Sequence, residues 1–421
     1  MQDTCAPKSK ALLTIPEALE KIRLAIQSIQ QSETVPLNKA LGRILAEPIY
    51  SPINMPFDIN SAMDGYAFSS VDKPGQGTFT LQCIGTSWAG EPFQGKLQSG
   101  ECVRIFTGAV LPPKTDSVIM QENVQVDGNS IFFPDDTAIH DNVRYVGEDV
   151  QQGSCLITPP KRLTVSDISL LASVGVANVS VKRALKVAFF STGDELVALD
   201  QTLSSGKIYD SNRYTLQGLL GDVNVTATDM GIIPDDKQLL EDSLLAAAKD
   251  FDVLITTGGA SVGDADYVKE ILERCGEVNF WKIAIKPGKP LAFGKIGVSY
   301  FFGLPGNPVS VMATFQQIVA PALRQLAGES PSKALRITAT CTSTLKKAAG
   351  RQEFQRGILS QDDDGNFWVV SSGAQGSNIL SSLSRANCYI VLPSECTGVN
   401  VGEKVIVEPF SLLLGSDGFG E

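Results

Sequence analysis

Apolar and polar positions fall into four successive textures along this 421-residue chain. Residues 13–30 place Leu19, Ile22, Ile26 and Ile29 on one face at helical spacing. Thr14 and Glu17 stand at capping-box spacing and Pro16 suits a first turn, so a helix is expected there. From about Ser51 to Pro160, short β-rich runs divided by Gly and Pro (GTFTLQCIGT, GECVRIFTG, DSVIMQENVQV, SIFFP) predict a small β domain. Within it, FDINSAMDGYAF and the stretch around Thr107-Gly108 read as loops, with Asp64-Gly65 a turn. Residues 164–175 turn helical again. From Arg183, strand and helix alternate: LKVAFF, a helix near 211–220, NVTATDMGII, a helix capped by Asp235 or Asp236, DVLITT, a helix over 266–275, then WKIAI, PLAFGK, SYFFGL and a helix over 308–328. After Ser332 the strands ALRITATCTST, EFQRGILSQ, NFWVVSS, CYIVLP and KVIVEPF follow, with a hairpin tip at Asp362–Asn366.

These textures predict an α/β multi-domain protein. A helical and extended linker domain covers 8–50 plus 145–182, and an inserted small β domain covers 51–144. A central three-layer α/β domain with a mostly parallel sheet covers 183–329, and an all-β, barrel-like C-terminal domain covers 330–412. A length of 421 residues suits two to four domains of roughly 100–200 residues each. No apolar run nears the ~20 residues of a membrane span, and the N-terminus lacks the pattern of a secretory signal. The 8 Cys are scattered, with no C-x-x-C pair, so reduced thiols and a cytoplasmic location are expected. A net charge of −11 argues against general nucleic-acid binding but leaves room for a local basic pocket. The single histidine, His140, sits in a polar stretch and reads as a surface residue. Acid–base work therefore falls to carboxylates, lysines, hydroxyls or a bound metal.

The strongest chemical signal is DVLITTGGASVGDADYV. A buried strand runs into a glycine-rich turn containing Gly258, Gly259, Ser261 and Gly263, and a helix follows. Such a turn lets backbone N–H groups and a helix N-terminus face an anion; it also serves as a tight strand–helix connection with no ligand. It is neither a Walker A loop nor G-x-G-x-x-G. Two more loops belong at the same sheet edge: STGDEL, with Thr192 and Gly193, and GLPGNPVS, with Pro305, Gly306, Asn307, Pro308 and Ser310. Alone, the second reads more readily as a rigid turn. Asp194, Glu195, Asp235, Asp264 and Asp266 fall at strand ends or helix starts. Some cap helices; beside a phosphate they also suit a bridging Mg²⁺. In WKIAIKPGKP, a strand period puts Lys282 and Lys286 on one face, fit for an anion or for a solvated edge.

SAMDGYA, RIFTGA, STGDEL, TTGGASVGDADYV, KPGKP and GLPGNPVS occur in this order, and with them the chain resembles the MoeA family of molybdopterin molybdenumtransferases, similar to the E domain of gephyrin. The resemblance runs from about residue 10 to about residue 412. It implies a homodimer that joins molybdate to adenylylated molybdopterin and releases AMP, with a divalent cation, in a site shared between subunits. It also implies functional roles for Asp64, Thr107, Asp149, Glu195, Asp235, Asp266, Lys282, Lys286, Arg356 and Ser377, with Glu195, Asp235 and Asp266 as metal ligands. A MogA-type adenylyltransferase and molybdoenzyme maturation factors are further partners it suggests. Molybdopterin adenylyltransferase activity and a gephyrin-like scaffold role are the alternatives. Lys114-Thr115, Thr257 and Ala260 depart from the commoner family residues, and none of these changes removes a charged group.

Overall fold

The computed structural model describes residues 12–221, 223, 225–258, 267–331 and 333–410. The first helix spans Ile15–Ala25, and its capping box forms as the spacing requires: the Thr14 hydroxyl accepts from Glu17 N–H, and the Glu17 carboxylate accepts from Thr14 N–H at 2.7 Å. The helix stops earlier than its apolar period. Ile26 turns extended, Gln27 N–H donates to the Tyr300 hydroxyl at 2.9 Å, and Ile29 N–H donates to Leu326 O at 2.8 Å. Tertiary partners thus take over the donors that a longer helix would have used. Ile15, Ala18, Ile22 and Ile26 enter the same core as the central sheet.

That sheet runs in the order Val225–Ile233, Leu185–Thr192, Val253–Thr257, Ser299–Leu304, Pro290–Ile296, Gly276–Lys282. The first four strands are mutually parallel; the last two join antiparallel. Val253–Thr257 and Ser299–Leu304 are buried at every position, as strands covered on both faces must be. Two apolar clusters, one on each face, give the three layers. The helix at Lys237–Asp250 is capped by Asp236, whose carboxylate accepts from Leu239 N–H at 2.8 Å. Asp235 is thereby released from capping. The final helix is not uniform: it runs as Pro308–Thr314, a π turn at Phe315–Val319, and Ala320–Leu326.

Short pairs, Ser32–Pro36 with Asn178–Lys182 and Ile49–Tyr50 with Cys155–Ile157, connect segments on both sides of the β insert. The insert itself is a six-stranded sheet. Its second strand is Gly65–Phe68, which corrects the expectation of a loop there. Four residues are too few to show a period, and all four are buried between Glu101–Ile105 and Ser117–Met120. Gly65 is needed for closeness: a Cβ there would lie 1.8 Å from Ile119 O. In the C-terminal region Gln352–Gln361, Phe367–Ser371, Ile337–Cys341, Lys404–Pro409 and Cys388–Leu392 close into a five-stranded barrel, because Cys388–Leu392 pairs back onto Gln352–Gln361. The hairpin tip is as expected, with Gly365 at φ 83° and Asp362 accepting from Asn366 N–H at 2.8 Å. No helix among the described residues is long and apolar enough to cross a membrane.

Replacing Gly65 by Ala should lower the stability of the β insert by about 3 kcal/mol or more, since backbone must move to admit the methyl group. Trp88 is the one tryptophan between residues 51 and 144, so its fluorescence in urea reports the insert directly. An unchanged midpoint would refute the tight approach.

Candidate functional site

The parallel strands deliver their loops to one sheet edge. Thr192 ends its strand and donates its hydroxyl to the Asp235 carboxylate, which follows the neighbouring strand. One residue earlier, the hydroxyls of Ser191 and Thr257 are hydrogen-bonded at 2.8 Å, tying the next strand in. Gly258 has φ 85°, and a Cβ on it would meet Thr192 O at 2.4 Å. The loop can pass that carbonyl only as glycine. Gly193 has φ 150°, and the Glu195 carboxylate folds back over it, with Oε2 2.7 Å from where a Cβ would stand. Pro305, Gly306, Asn307 and Pro308 leave the fourth strand; Asn212 Nδ2 donates to Gly306 O at 2.8 Å, and Ser310 is buried in the helix that starts at Pro308. Thr192, Gly193, Glu195, Asp235, Gly258 and the 305–310 loop therefore share one edge. Gly259, Ser261, Gly263 and Asp266 lie outside the described residues.

Asp210 and Asn212 belong to this edge and had no signature as loop residues. Asp210 is 1% exposed and accepts from Ser191 Oγ, from Asn212 N–H and from Arg213 Nε, the last at 2.8 Å. It fixes the loop that carries Asn212. Asn212 Oδ1 is buried without a protein partner. The signal that could have found them is the polar run Asp210-Ser211-Asn212 at the start of a helix.

The two lysines do not share one strand, contrary to the strand-period expectation. Lys282 ends the antiparallel strand Gly276–Lys282 of the central sheet, whereas Ile285–Lys286 pairs with Gln352–Glu353 of the barrel. Lys286 Nζ lies 3.1 Å from Glu353 Oε1, a carboxylate only 5% exposed that also accepts from Gln355 Nε2 at 3.0 Å. Ser377 reaches the sheet edge through its backbone: its carbonyl accepts from Val309 N–H at 3.3 Å.

Arg356 departs from its expected role as an anion contact. It is 1% exposed, and its guanidinium is spent on the chain 18–26 residues ahead: Nη2 donates to Ala374 O at 2.8 Å and Gly376 O at 3.1 Å, Nη1 to Gln375 O, and Nε to Ser382 Oγ. Burial pulls its pKa down from the usual arginine value. The geometry makes Arg356 the frame of the loop that presents Ser377.

Asp64 and Thr107 meet in the β insert, not at the α/β edge. Asp64 Oδ1 accepts from both Thr107 N–H at 2.8 Å and Thr107 Oγ1 at 2.7 Å. These bonds, the backbone one first and then the hydroxyl, hold the Asp64 carboxyl below the usual carboxylate range, helped by Arg104. Asp149 is separate again, in an open cleft of about 470 Å³ with Met55, Pro56, Arg144 and Glu148. No hydrogen bond among the described residues joins either group to the α/β edge. His140 is exposed, with Nδ1 3.8 Å from Asp116, and all seven described cysteines are free.

Comparison with known proteins matches residues 13–175 to the MoeA N-terminal region (domain I and II), 188–325 to a probable molybdopterin binding domain and 338–410 to the MoeA C-terminal region (domain IV). A molybdopterin molybdenumtransferase of Haemophilus influenzae is 45% identical over 406 residues, 96% of this chain and 100% of the relative. The chain belongs to the molybdopterin molybdenumtransferase (MoeA) family. It is a transferase. Gephyrin of Dictyostelium discoideum is a more distant relative of the family, 32% identical over 95% of this chain and 61% of its own length. The crystal structure of a molybdopterin biosynthesis moeA protein from Pyrococcus horikoshii superposes with a TM-score of 0.81 at 29% identity, covering 95% of this chain and all of that one.

The Asp64–Thr107 pair generates a prediction. A carboxyl with a depressed folded pKa stabilises above its unfolded pKa and loses that contribution as pH falls through the folded one. Thr107→Val removes the hydroxyl donor and keeps the N–H. The Asp64 titration midpoint, followed by carboxyl NMR, should then rise part of the way toward the ordinary aspartate value. A midpoint that stays put would show that the hydroxyl does not hold the carboxylate.

Proposed function

We propose that the chain joins molybdate to adenylylated molybdopterin, cleaving the phosphoanhydride and releasing AMP with the aid of a divalent cation. The observation that carries this reading is the sheet edge where close-approach glycines, two carboxylates and the 305–310 loop come together and the Ser377 loop arrives from the barrel, with Lys286 on the strand that pairs with the barrel. Backbone N–H groups of the glycine-bearing loops bind the phosphate oxygens, and Lys282 and Lys286 attract the molybdate oxyanion. As the anhydride breaks, the lysine charges offset charge on the molybdopterin phosphate, which leaves the adenylyl phosphorus with the bridging oxygen. The oxygen that completes the AMP phosphate comes from molybdate or from a water derived from it; the two dithiolene thiols bond the metal and displace two of its oxygens, one passing to AMP and the other leaving as water with the two thiol protons.

Glu195 and Asp235 suit a hard cation, being carboxylates at one edge beside a phosphate site. Among the described residues no cluster of three metal-capable side chains forms, and Asp266, the third expected ligand, lies outside them. Glu195 and Asp235 would hold Mg²⁺ there, and its charge would offset that of the substrate phosphates. Thr192 orients the Asp235 carboxylate by donating its hydroxyl.

Asp64, Thr107 and Asp149 act in this reading from the other subunit of a homodimer, since they are not bonded to the α/β edge of their own chain. The working location is cytoplasmic; a MogA-type adenylyltransferase supplies the substrate, and molybdoenzyme maturation factors receive the product.

Asp235→Ala and Lys286→Ala should each slow molybdate-dependent AMP release by about 100-fold or more, the scale of losing a charge-stabilising group. The reading fails if both variants turn over at the wild-type rate. A mixing experiment tests the shared site separately. Combining inactive Asp64→Ala and Lys286→Ala proteins should restore activity to about a quarter of wild type, because half the dimers are mixed and each has one intact site. No recovery after subunit exchange would place both groups in one chain's site.

A further inference from the structure

The β insert carries an aromatic stack that none of the roles above uses. The parallel strands Phe79–Ser87 and Glu101–Ile105 end side by side, with Ser87 opposite Ile105. The next residue on each chain is aromatic, so Trp88 and Phe106 emerge together. Their rings are stacked, 4.2 Å between centroids and 8° from parallel. The Arg104 guanidinium lies over the Phe106 ring at 4.8 Å, donates to Gly65 O at 2.8 Å and also bonds Gln121.

The stack is fixed in place. Ser87 is fully buried, donates to Val110 O at 2.9 Å and accepts from Phe93 N–H. Trp88 and Glu91 exchange both backbone hydrogen bonds at 3.0 Å. Nevertheless Trp88 is 50% exposed. The stack adjoins the Asp64–Thr107 pair in sequence and in space: Thr107 follows Phe106, and Asp64 precedes the Gly65 whose carbonyl Arg104 holds. Met63, just before Asp64, is also exposed, at 42%. A rigid, flat, half-exposed ring beside an ionised carboxylate and a hydroxyl is built for a flat heteroaromatic ring with polar edges.

We propose that Trp88, backed by Phe106 and Arg104, stacks a heteroaromatic ring of the adenylylated substrate, and that Asp64 and Thr107 face the polar edge of that ring or its attached groups. This rests on the proposed function, because that substrate supplies two such rings, a pterin and an adenine. The shared chemistry is ring stacking, and the test separates the two ends.

Trp88→Ala should raise the KM for adenylylated molybdopterin by about ten-fold, the scale of one lost stacking contact. The KM for molybdate and kcat should stay near wild type, and Trp88→Phe should restore most of the substrate affinity. If adenine is the stacked ring, inhibition by AMP weakens by the same factor in Trp88→Ala. If pterin is, AMP inhibition is unchanged and only the substrate KM rises. A wild-type substrate KM in Trp88→Ala overturns the proposal, as does a loss that Trp88→Phe does not rescue. Should wild-type protein release no AMP at all, the function reading fails instead. Calorimetric binding of AMP and of free pterin to wild type and Trp88→Ala then decides the stack alone. Equal binding by both proteins, or none, overturns it.

Discussion

Between Lys282 and Lys286 the backbone changes sheets, and the relation of the domains depends on how it does so. Lys282 ends the antiparallel edge of the central sheet; three residues later Ile285 is paired with the barrel. The passage is pinned from several sides. Leu13 N–H donates to Lys282 O at 2.9 Å and Leu13 O accepts from Ala284 N–H at 2.7 Å, while Gln352 N–H donates to Ala284 O and Ile283 N–H to Lys289 O. Ile283 and Ile285 are fully buried, so the segment cannot slide without exposing one of them. One short stretch thus binds the N-terminal segment, the α/β sheet and the barrel. It also sets Lys286 against the buried Glu353. Removing that carboxylate's partner would leave a desolvated charge, which is why the pair holds its geometry.

Arg356 follows a different physical solution to burial. Among the described residues no carboxylate is in hydrogen-bonding contact with it; instead carbonyl oxygens of 374–376 and the Ser382 hydroxyl accept from its donors. A planar, always-charged fork can organise three successive carbonyls in this way, whereas an ammonium has fewer donors and no fixed plane. The loop so organised carries Ser377, whose carbonyl then caps the start of the helix at Pro308. The cation's effect on the site is therefore one of positioning.

Much of this was readable from the residues. Thr14/Glu17 form the capping box their spacing allows, and the unbroken apolar run DVLITT is the doubly covered strand it suggests. What failed did so for physical reasons. WKIAIKP has the same alternation whether it is one strand or two, because a change of sheet leaves the side-chain period intact. GYAF is too short and too completely buried to show a period at all. The end of the first helix is set by Tyr300, and the helix from Pro308 to Leu326 is interrupted by a π turn, which are tertiary facts. Arg356 read as an anion contact because charge is visible in a sequence and burial is not. Trp88 went unremarked because its meaning lies in Phe106, 18 positions away, brought alongside by a parallel pairing.

The acidic balance of the chain sharpens the argument for a site completed by assembly. At a net charge of −11, long-range attraction does not bring an oxyanion and a phosphorylated substrate to this protein. Capture depends on short-range groups, and the described half-sites divide them by type. The α/β edge offers backbone donors, hydroxyls and two carboxylates, which suit phosphate and cation, and Lys282 and Lys286, on either side of the change of sheet, suit an oxyanion. The β insert offers Asp64, Thr107 and an exposed aromatic ring, which suit a flat polar heterocycle. A substrate that has both a pyrophosphate and ring systems needs both chemistries within its own length. Neither half of one chain supplies them together, so in the proposed dimer it is the extended substrate itself that makes the second subunit necessary.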